Sequence, residues 1–581
     1  MLAFSRLRLL WLALAGVALF GLLVYRLVDL QILDHETLAE RARRQQEREF
    51  TLAAPRGSLI DRNGVVLARN GDGLSIYAVP GEVADVPATA RRLAGLLDLS
   101  ARTLCQRLAS KRPFVWIDRQ REMDLLERLT ALDLPGIYGQ IESRRYYLRG
   151  DAFQSALGLV GVDDVGLEGL EFRYTRELGG EPGRFLRRRD GRKRPIADWV
   201  LVPAREGSDL ILTLDEVLQH TAYTALARGV QESGARCGVA VVSDPATGEI
   251  LAMADYGAPA EVKSDTPGRK YRSHAVTWQY EPGSIFKPVV VAVALDRGLA
   301  ERDTLVFAEN GTYQVADRTF HEATGHRFDW LSTAQVLQHS SNIGMIKLVE
   351  PIDAKLLYRY LTAFGFGAET GIDYSGEATG RLRSPREWSA VSKASLAIGQ
   401  ELSVTALQMI TFYNALANGG LRISPRLVRG INARRPGDRG RLVAPPSQRV
   451  ISRDTARELT RMLTAVVGAK GTAPKAAVPG FAISGKTGTA QKFDRRAHQY
   501  SRTRYVSSFV GYLPADKPRL TILVTLDEPR GGAYGGQVAA PIFREIAEKG
   551  LRYLGVQADP GPRILKAAAP LRPPHLSTLT L

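Results

Sequence analysis

The sequence predicts a multidomain, membrane-anchored protein: a single N-terminal transmembrane helix, an α+β module, and a larger C-terminal α/β domain with an antiparallel sheet flanked by helices. Three observations point there. One uncharged apolar run opens the chain, the texture changes near residue 205, and helices alternate with strands from there to about residue 555. Apolar content of 45% and charged content of 24% over 581 residues are those of a globular protein with room for several domains.

Each element has its own signal. Arg6 and Arg8 precede LLWLALAGVALFGLLVY, which ends at Arg26. As a helix that run is roughly 25 Å long, the short end of a membrane span. Ala13-Leu14-Ala15 looks like a cleavage signal but lies inside the apolar run, so an uncleaved anchor over 9–29 is expected. The arginines place the tail, 1–8, in the cytoplasm and export the rest. LDHETLAERARRQQEREF (33–50) reads as a polar stalk helix, broken by Pro55-Arg56-Gly57. Asn63-Gly64 between two apolar runs signals a hairpin. Residues 84–135 read as helical, and RFLRRRDGRKRPI (184–196) as a solvated basic strand pair around Asp190-Gly191. These segments make an N-terminal module over 30–205.

The C-terminal domain is expected over 206–555. GSDLILTLDEVLQHTAYTAL gives a strand then a helix, and GVAVVSDPATGEILAMADY two strands around Pro245–Gly248. FAISGKTGTAQK, YVSSFVGYLP and RLTILVTLDEP read as closing antiparallel strands. The Pro/Ala-rich tail, 556–581, is expected to be disordered. The net charge of +17 suggests a polyanionic partner or surface. Export argues against nucleic acid and against nucleotides, and leaves anionic lipid or wall polymer. Cys105 and Cys237 lack metal-ligand spacing and read as free thiols.

Residues 480–490, GFAISGKTGTA, admit two chemistries. Gly480 to Thr487 fits G-x-x-x-x-G-K-[ST], a phosphate loop. That loop needs a helix opening at Lys-Thr, whereas Phe481–Ser484 read as strand and Gly488-Thr489 are poor helix starters. The alternative is a serine site. In QYEPGSIFKPVVVAVAL, Ser284 and Lys287 lie one helical turn apart. A serine needs a base, and a lysine serves only if burial or a neighbouring cation lowers its pKa. The flanking apolar run supplies burial. Ser340-Ser341-Asn342 reads as a loop or helix end between apolar helices. Lys486-Thr487-Gly488 reads as strand. Lys486 would depress Lys287 and bind a substrate carboxylate, and Gly488 would let a substrate backbone lie along the strand. His321-Glu322 with His326 nearly mimics a zinc helix, but the histidines are five apart, so this reads as a surface loop. Asp61 reads as a turn or salt-bridge residue. No metal and no organic cofactor are expected.

S-x-x-K, S-x-N and K-T-G, in that order, resemble the penicillin-recognising serine acyl-transferases. RGSLIDRNG (56–64), RRYY (144–147) and VGLEGLE (165–171) resemble the N-terminal pedestal of class B penicillin-binding proteins. DPATGEILAMA, EPGSIFKP, SGKTGTAQK and YVSSFVGYLP resemble their transpeptidase domain, which has the serine β-lactamase-like fold. The resemblance covers roughly residues 9–550. KTGTAQK followed by SSFVGY is most similar to the division-specific septal (FtsI-type) subgroup, with the elongation subgroup as runner-up. The chain departs from the family at Leu148 and Ser155, where proline and histidine are usual. That puts partner contacts of the pedestal in question.

The resemblance implies D,D-transpeptidation of peptidoglycan stem peptides ending in D-Ala-D-Ala. Ser284 would be the nucleophile and Lys287 the base. Ser340 and Asn342 would relay a proton and hold Lys287. The backbone N–H groups of Ser284 and Thr489 would form the oxyanion hole. Lys486, Thr487 and Thr489 would grip the terminal carboxylate. β-Lactams would acylate Ser284. A polytopic glycosyltransferase and small division-complex membrane proteins are the implied partners. A D,D-carboxypeptidase, a β-lactamase and a non-catalytic penicillin-binding sensor are the rivals.

Overall fold

The computed structural model describes residues 2–558, apart from 53, 190–194, 258–271, 324, 433–444, 495, 496, 498 and 531–533. The expected tail therefore lies almost wholly outside the described residues, as does the Asp190-Gly191 turn.

α1 (Leu2–Val28) carries an apolar surface that the protein itself does not cover. Trp11 is 66% and Phe20 68% exposed, and Leu7–Leu33 is apolar enough to cross a bilayer. Such a surface is stable in lipid rather than water. α2 (His35–Gln46) is the polar helix, but it stops at Gln46. Glu47–Leu52 form a strand, β1, because a distant strand pairs with them and overrides local helix preference.

β2 (Leu59–Ile60) and β3 (Val66–Ala78) make the expected hairpin, with Gly64 at φ +93° in its turn. Buried Asp61 fastens that turn, accepting the Asn63 and Val65 N–H groups at 2.8 Å each and that of Glu216 at 3.2 Å. α3 (Val86–Leu97), α4 (Ala101–Leu108) and α5 (Leu125–Ala131) bear out much of the helical expectation. It fails at β4 (Val115–Arg121), between α4 and α5, which pairs with β3. β5 (Ile137–Tyr147) pairs with β3 as well. Leu74, Ile76, Leu93, Leu97, Leu104 and Ile117 close a small core there. α6 (Asp151–Leu157) follows.

Three motifs meet in this module. Glu171, fully buried, takes Arg56 Nε on one oxygen and Arg145 Nε on the other, each at 2.7 Å. Arg145 also donates to Gly57 O at 2.8 Å. Removing one member of such a network strands a buried charge, at about 3–5 kcal/mol. β6 (Gly183–Arg189) and β7 (Pro195–Val202) form the basic strand pair, and β1 completes a three-stranded sheet in the order β1-β6-β7. β8 (Asp209–Leu212) runs parallel to β2 and antiparallel to residues 428–432, so one sheet joins the two halves of the chain.

The second half is built on a five-stranded antiparallel sheet. Its elements are α7 (Glu216–Ser233), β9 (Cys237–Ser243), β10 (Ile250–Gly257), α8 (Lys287–Asp296), β11 (Arg318–His321), α9 (Thr333–His339), α10 (Asn342–Val349), α11 (Ala406–Ala417), α12 (Arg453–Val467), β12 (Ser484–Asp494), β13 (Gln499–Leu513), β14 (Leu520–Asp527) and α13 (Gly535–Tyr553). The strand order is β10-β9-β14-β13-β12. α7 and α13 pack together on one face, α11 and α12 on the other. β9 and β14 are buried at every position, so they read as continuous apolar runs. β12 lies at the edge of the sheet, and the site forms there. Cys105 and Cys237 are unpaired.

Candidate active site

Pro282-Gly283 bring the chain into a short 3-10 turn, Gly283–Phe286, which feeds α8. Ser284 sits on this turn, half-buried, and lines a groove of about 930 Å³. Lys287 is the first residue of α8 and has no exposed surface. The Tyr413 hydroxyl braces the turn, donating to Ile285 O at 2.9 Å. α9 ends at Ser340, which has φ +58°, a costly conformation for a residue with a Cβ. Ser341 caps α10 by accepting the Gly344 N–H at 2.9 Å.

These pieces converge on buried amines. Lys287 Nζ donates to Ser340 O at 2.5 Å, Ser340 Oγ at 3.2 Å and Asn342 Oδ1 at 2.8 Å. Lys486, also with no exposed surface, reaches the same Ser340 Oγ at 2.9 Å and Thr487 O at 3.2 Å. Thr487 Oγ1 and Thr472 Oγ1 are 2.8 Å apart. Among the described residues, no hydrogen bond joins Ser284 Oγ to Lys287. The lysine is held by the S-x-N loop, one step short of the serine.

Burial pulls Lys287 down to about 7, against the Glu322 carboxylate, which pulls it up. Lys486 is lowered further by burial and by the Lys287 cation. Here the sequence expectation needs correcting. The repulsion falls on Lys486, and burial alone brings Lys287 into range.

Two other expectations change. Gly488 does not line the groove. A Cβ there would meet Ile285 Cγ2 at 2.9 Å and Pro282 O at 3.1 Å, so its missing side chain lets β12 press against the serine turn. Thr487, Thr489, Ala490 and Gln491 face the groove instead. Glu322 is not on a surface loop. It is buried, and it binds the start of α10, accepting the Asn342 N–H at 2.7 Å, the Ile343 N–H at 3.2 Å and the Ser341 hydroxyl. No described group of His, Cys, Asp and Glu could hold a metal. Residues 484–494 are strand, so no helix opens at Lys486 and the phosphate-loop reading fails. The departures differ in place. Leu148 is exposed, whereas Ser155 O accepts the Tyr374 hydroxyl at 2.5 Å, a contact between the two halves of this chain.

A buried lysine pair beneath a groove serine, on the edge of such a sheet, defines the penicillin-binding transpeptidase class. The family of the penicillin-binding protein transpeptidase domain matches residues 238–548, and that of the penicillin-binding protein dimerisation domain matches 51–212. A probable peptidoglycan D,D-transpeptidase, PenA of Neisseria meningitidis, is 34% identical over 94% of this chain and 93% of its own length. The peptidoglycan D,D-transpeptidase FtsI of Escherichia coli is 31% identical over 94% and 92%. Penicillin-binding protein 3 of Mycobacterium tuberculosis, solved with aztreonam, superposes with a TM-score of 0.67 at 29% identity, covering 88% of this chain and 98% of that one. The chain belongs to the class B penicillin-binding proteins, and it is a peptidoglycan D,D-transpeptidase.

Glu322 gives a direct test of how the S-x-N loop is held. Glu322→Ala is expected to slow acylation by benzylpenicillin roughly tenfold, the equivalent of an N-cap of about 1–2 kcal/mol. It should also move the pH–rate inflection downward, because the group that raises Lys287 is gone. Stopped-flow acylation from pH 5 to 9 measures both. An unmoved inflection would separate Glu322 from Lys287.

Proposed function

We propose that the chain cross-links stem peptides during septal wall synthesis through an acyl-enzyme on Ser284. The observation that carries this reading is the hydroxyl of Ser340, shared by Lys287 and Lys486 beneath the serine turn. Ser284 Oγ attacks the carbonyl of the penultimate D-Ala, and neutral Lys287 takes its proton. The backbone N–H groups of Ser284 and Thr489 receive the developing oxyanion. Ser340 and Asn342 pass the proton to the departing D-Ala. Lys486, Thr487 and Thr489 hold its carboxylate, whose arrival raises the proton affinity of Lys486. An amine from a neighbouring stem then attacks the ester, forming the cross-link and freeing Ser284. A β-lactam enters by the same route and leaves slowly.

The apolar α1, with arginines before it, supports a single-pass inner-membrane protein with its body outside the cytoplasm. The proposed division is tail 1–8, anchor 9–29, pedestal 30–205, catalytic domain 206–555 and tail 556–581. Anchor and pedestal would dock a polytopic glycosyltransferase and small division proteins. The septal assignment draws on the FtsI likeness and on KTGTAQK with SSFVGY.

The test uses the full chain in detergent, a synthetic D-Ala-D-lactate stem donor and an added amine. Transfer to the amine in excess of hydrolysis is expected. Hydrolysis alone would make it a carboxypeptidase or β-lactamase, and no turnover of an acylated protein would favour a sensor. Depletion in cells should give filaments; rounded cells would indicate elongation.

A further inference from the structure

Two carboxylates line the catalytic groove among its described residues, Glu281 and Glu322. Glu322 spends both oxygens on α10. Glu281 does not. Its Oε1 accepts the Glu401 N–H at 3.0 Å and the Tyr500 hydroxyl at 3.1 Å, while its Oε2 is buried with no hydrogen-bond partner. An unpaired buried carboxylate oxygen is costly and calls for a partner. The neighbouring cation is already engaged, since Arg318 donates to Ser395 Oγ at 3.1 Å and Gln400 Oε1 at 2.8 Å. The other ionisable side chains lining the groove are Arg318, Lys470, three histidines and two tyrosines. Glu281 is thus an anionic point in an otherwise basic channel.

Its position along the strand matters. Tyr500 opposes Phe493 at the hairpin end of β12, four residues beyond Thr489 and about 13 Å along the strand. A stem whose carboxylate sits at Thr487 and Thr489, with its scissile carbonyl at Ser284, runs from there toward Gln491. The residue before the D-Ala-D-Ala unit then projects its side chain toward Glu281, and a four-carbon stem spans the remainder. Donor and acceptor stems are copies of one peptide, and acceptors carry an amine. We propose that Glu281 binds the protonated side-chain amine of the donor residue preceding D-Ala-D-Ala, selecting stems that carry a lysine-like diamino acid there. This rests on the transpeptidase reading above.

Burial, with Glu401 adding to it, raises Glu281 to about 7, while the Glu401 N–H, Tyr500 and Arg318 oppose the shift. The carboxylate therefore ionises at and above neutral pH, where a lysine-like amine is still protonated. Selection should be strong at pH 8 and fade as pH falls through about 7.

The test compares two donors on the full chain in detergent: Nα-acetyl-L-Lys-D-Ala-D-lactate and its Nε-acetylated counterpart. At pH 8 the parent should be acylated by the free-amine donor with a kcat/KM about tenfold to a hundredfold higher, the worth of a charged hydrogen bond. Glu281→Gln should erase that preference through the free-amine donor, with the acetylated donor changed less than about threefold. Tyr500→Phe, which keeps the carboxylate, should retain the preference. No preference in the parent, or a preference that survives Glu281→Gln, overturns the proposal. So does an equal loss with both donors, which would make Glu281 a brace for the serine turn. Benzylpenicillin is the separate control. A parent that it fails to acylate would sink the transpeptidase reading, and this inference with it.

Discussion

Ser284→Ala is expected to abolish covalent labelling by benzylpenicillin, while the parent gains one adduct in intact mass. The side chain lies in the groove and not in the core, so the fold should survive the change. The surrounding turn is set by other groups: Tyr413 bonds Ile285 O, and Gly283 N–H donates to Gly399 O at 3.1 Å. An unchanged thermal unfolding profile would confirm that the loss is chemical. An adduct that persists on the variant would move the nucleophile elsewhere, with Ser340 the first alternative, since its hydroxyl contacts both lysines.

Lys287→Ala is the second large effect. Acylation should fall by about 10³-fold or more, because a base and its nucleophile act as one unit. The pH dependence in the parent identifies the base more sharply. Lys287 must be neutral to accept the serine proton. At its ordinary value of 10.5, roughly one lysine in several thousand would be neutral at pH 7. Held down at about 7, half would be. Acylation should therefore rise with pH through about 7 and level off above it. A rate that is flat from pH 6 to 9, or that falls across that range, would remove Lys287 as the base. The variant also frees Ser340 O and Asn342 Oδ1 of their shared donor, so its stability should be measured alongside its rate.

Much of this was legible in the residues. The apolar run before Arg26, the Asn63-Gly64 turn and the closing strands each announce themselves by local pattern. S-x-x-K, S-x-N and K-T-G are short segments whose order in the chain reveals a site. What stayed hidden is non-local. Glu47–Leu52 read as helix because their partner, β6, lies more than a hundred residues on. Arg56, Arg145 and Glu171 sit in three motifs with nothing in the sequence to say that they form one ion network. Glu322 looked like half of a failed zinc motif. Only its burial against the start of α10 makes it the anchor of Asn342.

The sequence by itself determined the kind of elements, their order, and the residue types available for acyl transfer, since periodicity, turn chemistry and spacing are local properties of a chain. The tertiary structure decided which of those residues share a site and in what protonation state. It buried Lys287 and Lys486 around one hydroxyl, turned the missing Cβ of Gly488 toward the serine turn, and left one oxygen of Glu281 unpaired in the groove wall. Desolvation and close packing depend on what the rest of the chain places around a group, and no short stretch of sequence contains that information.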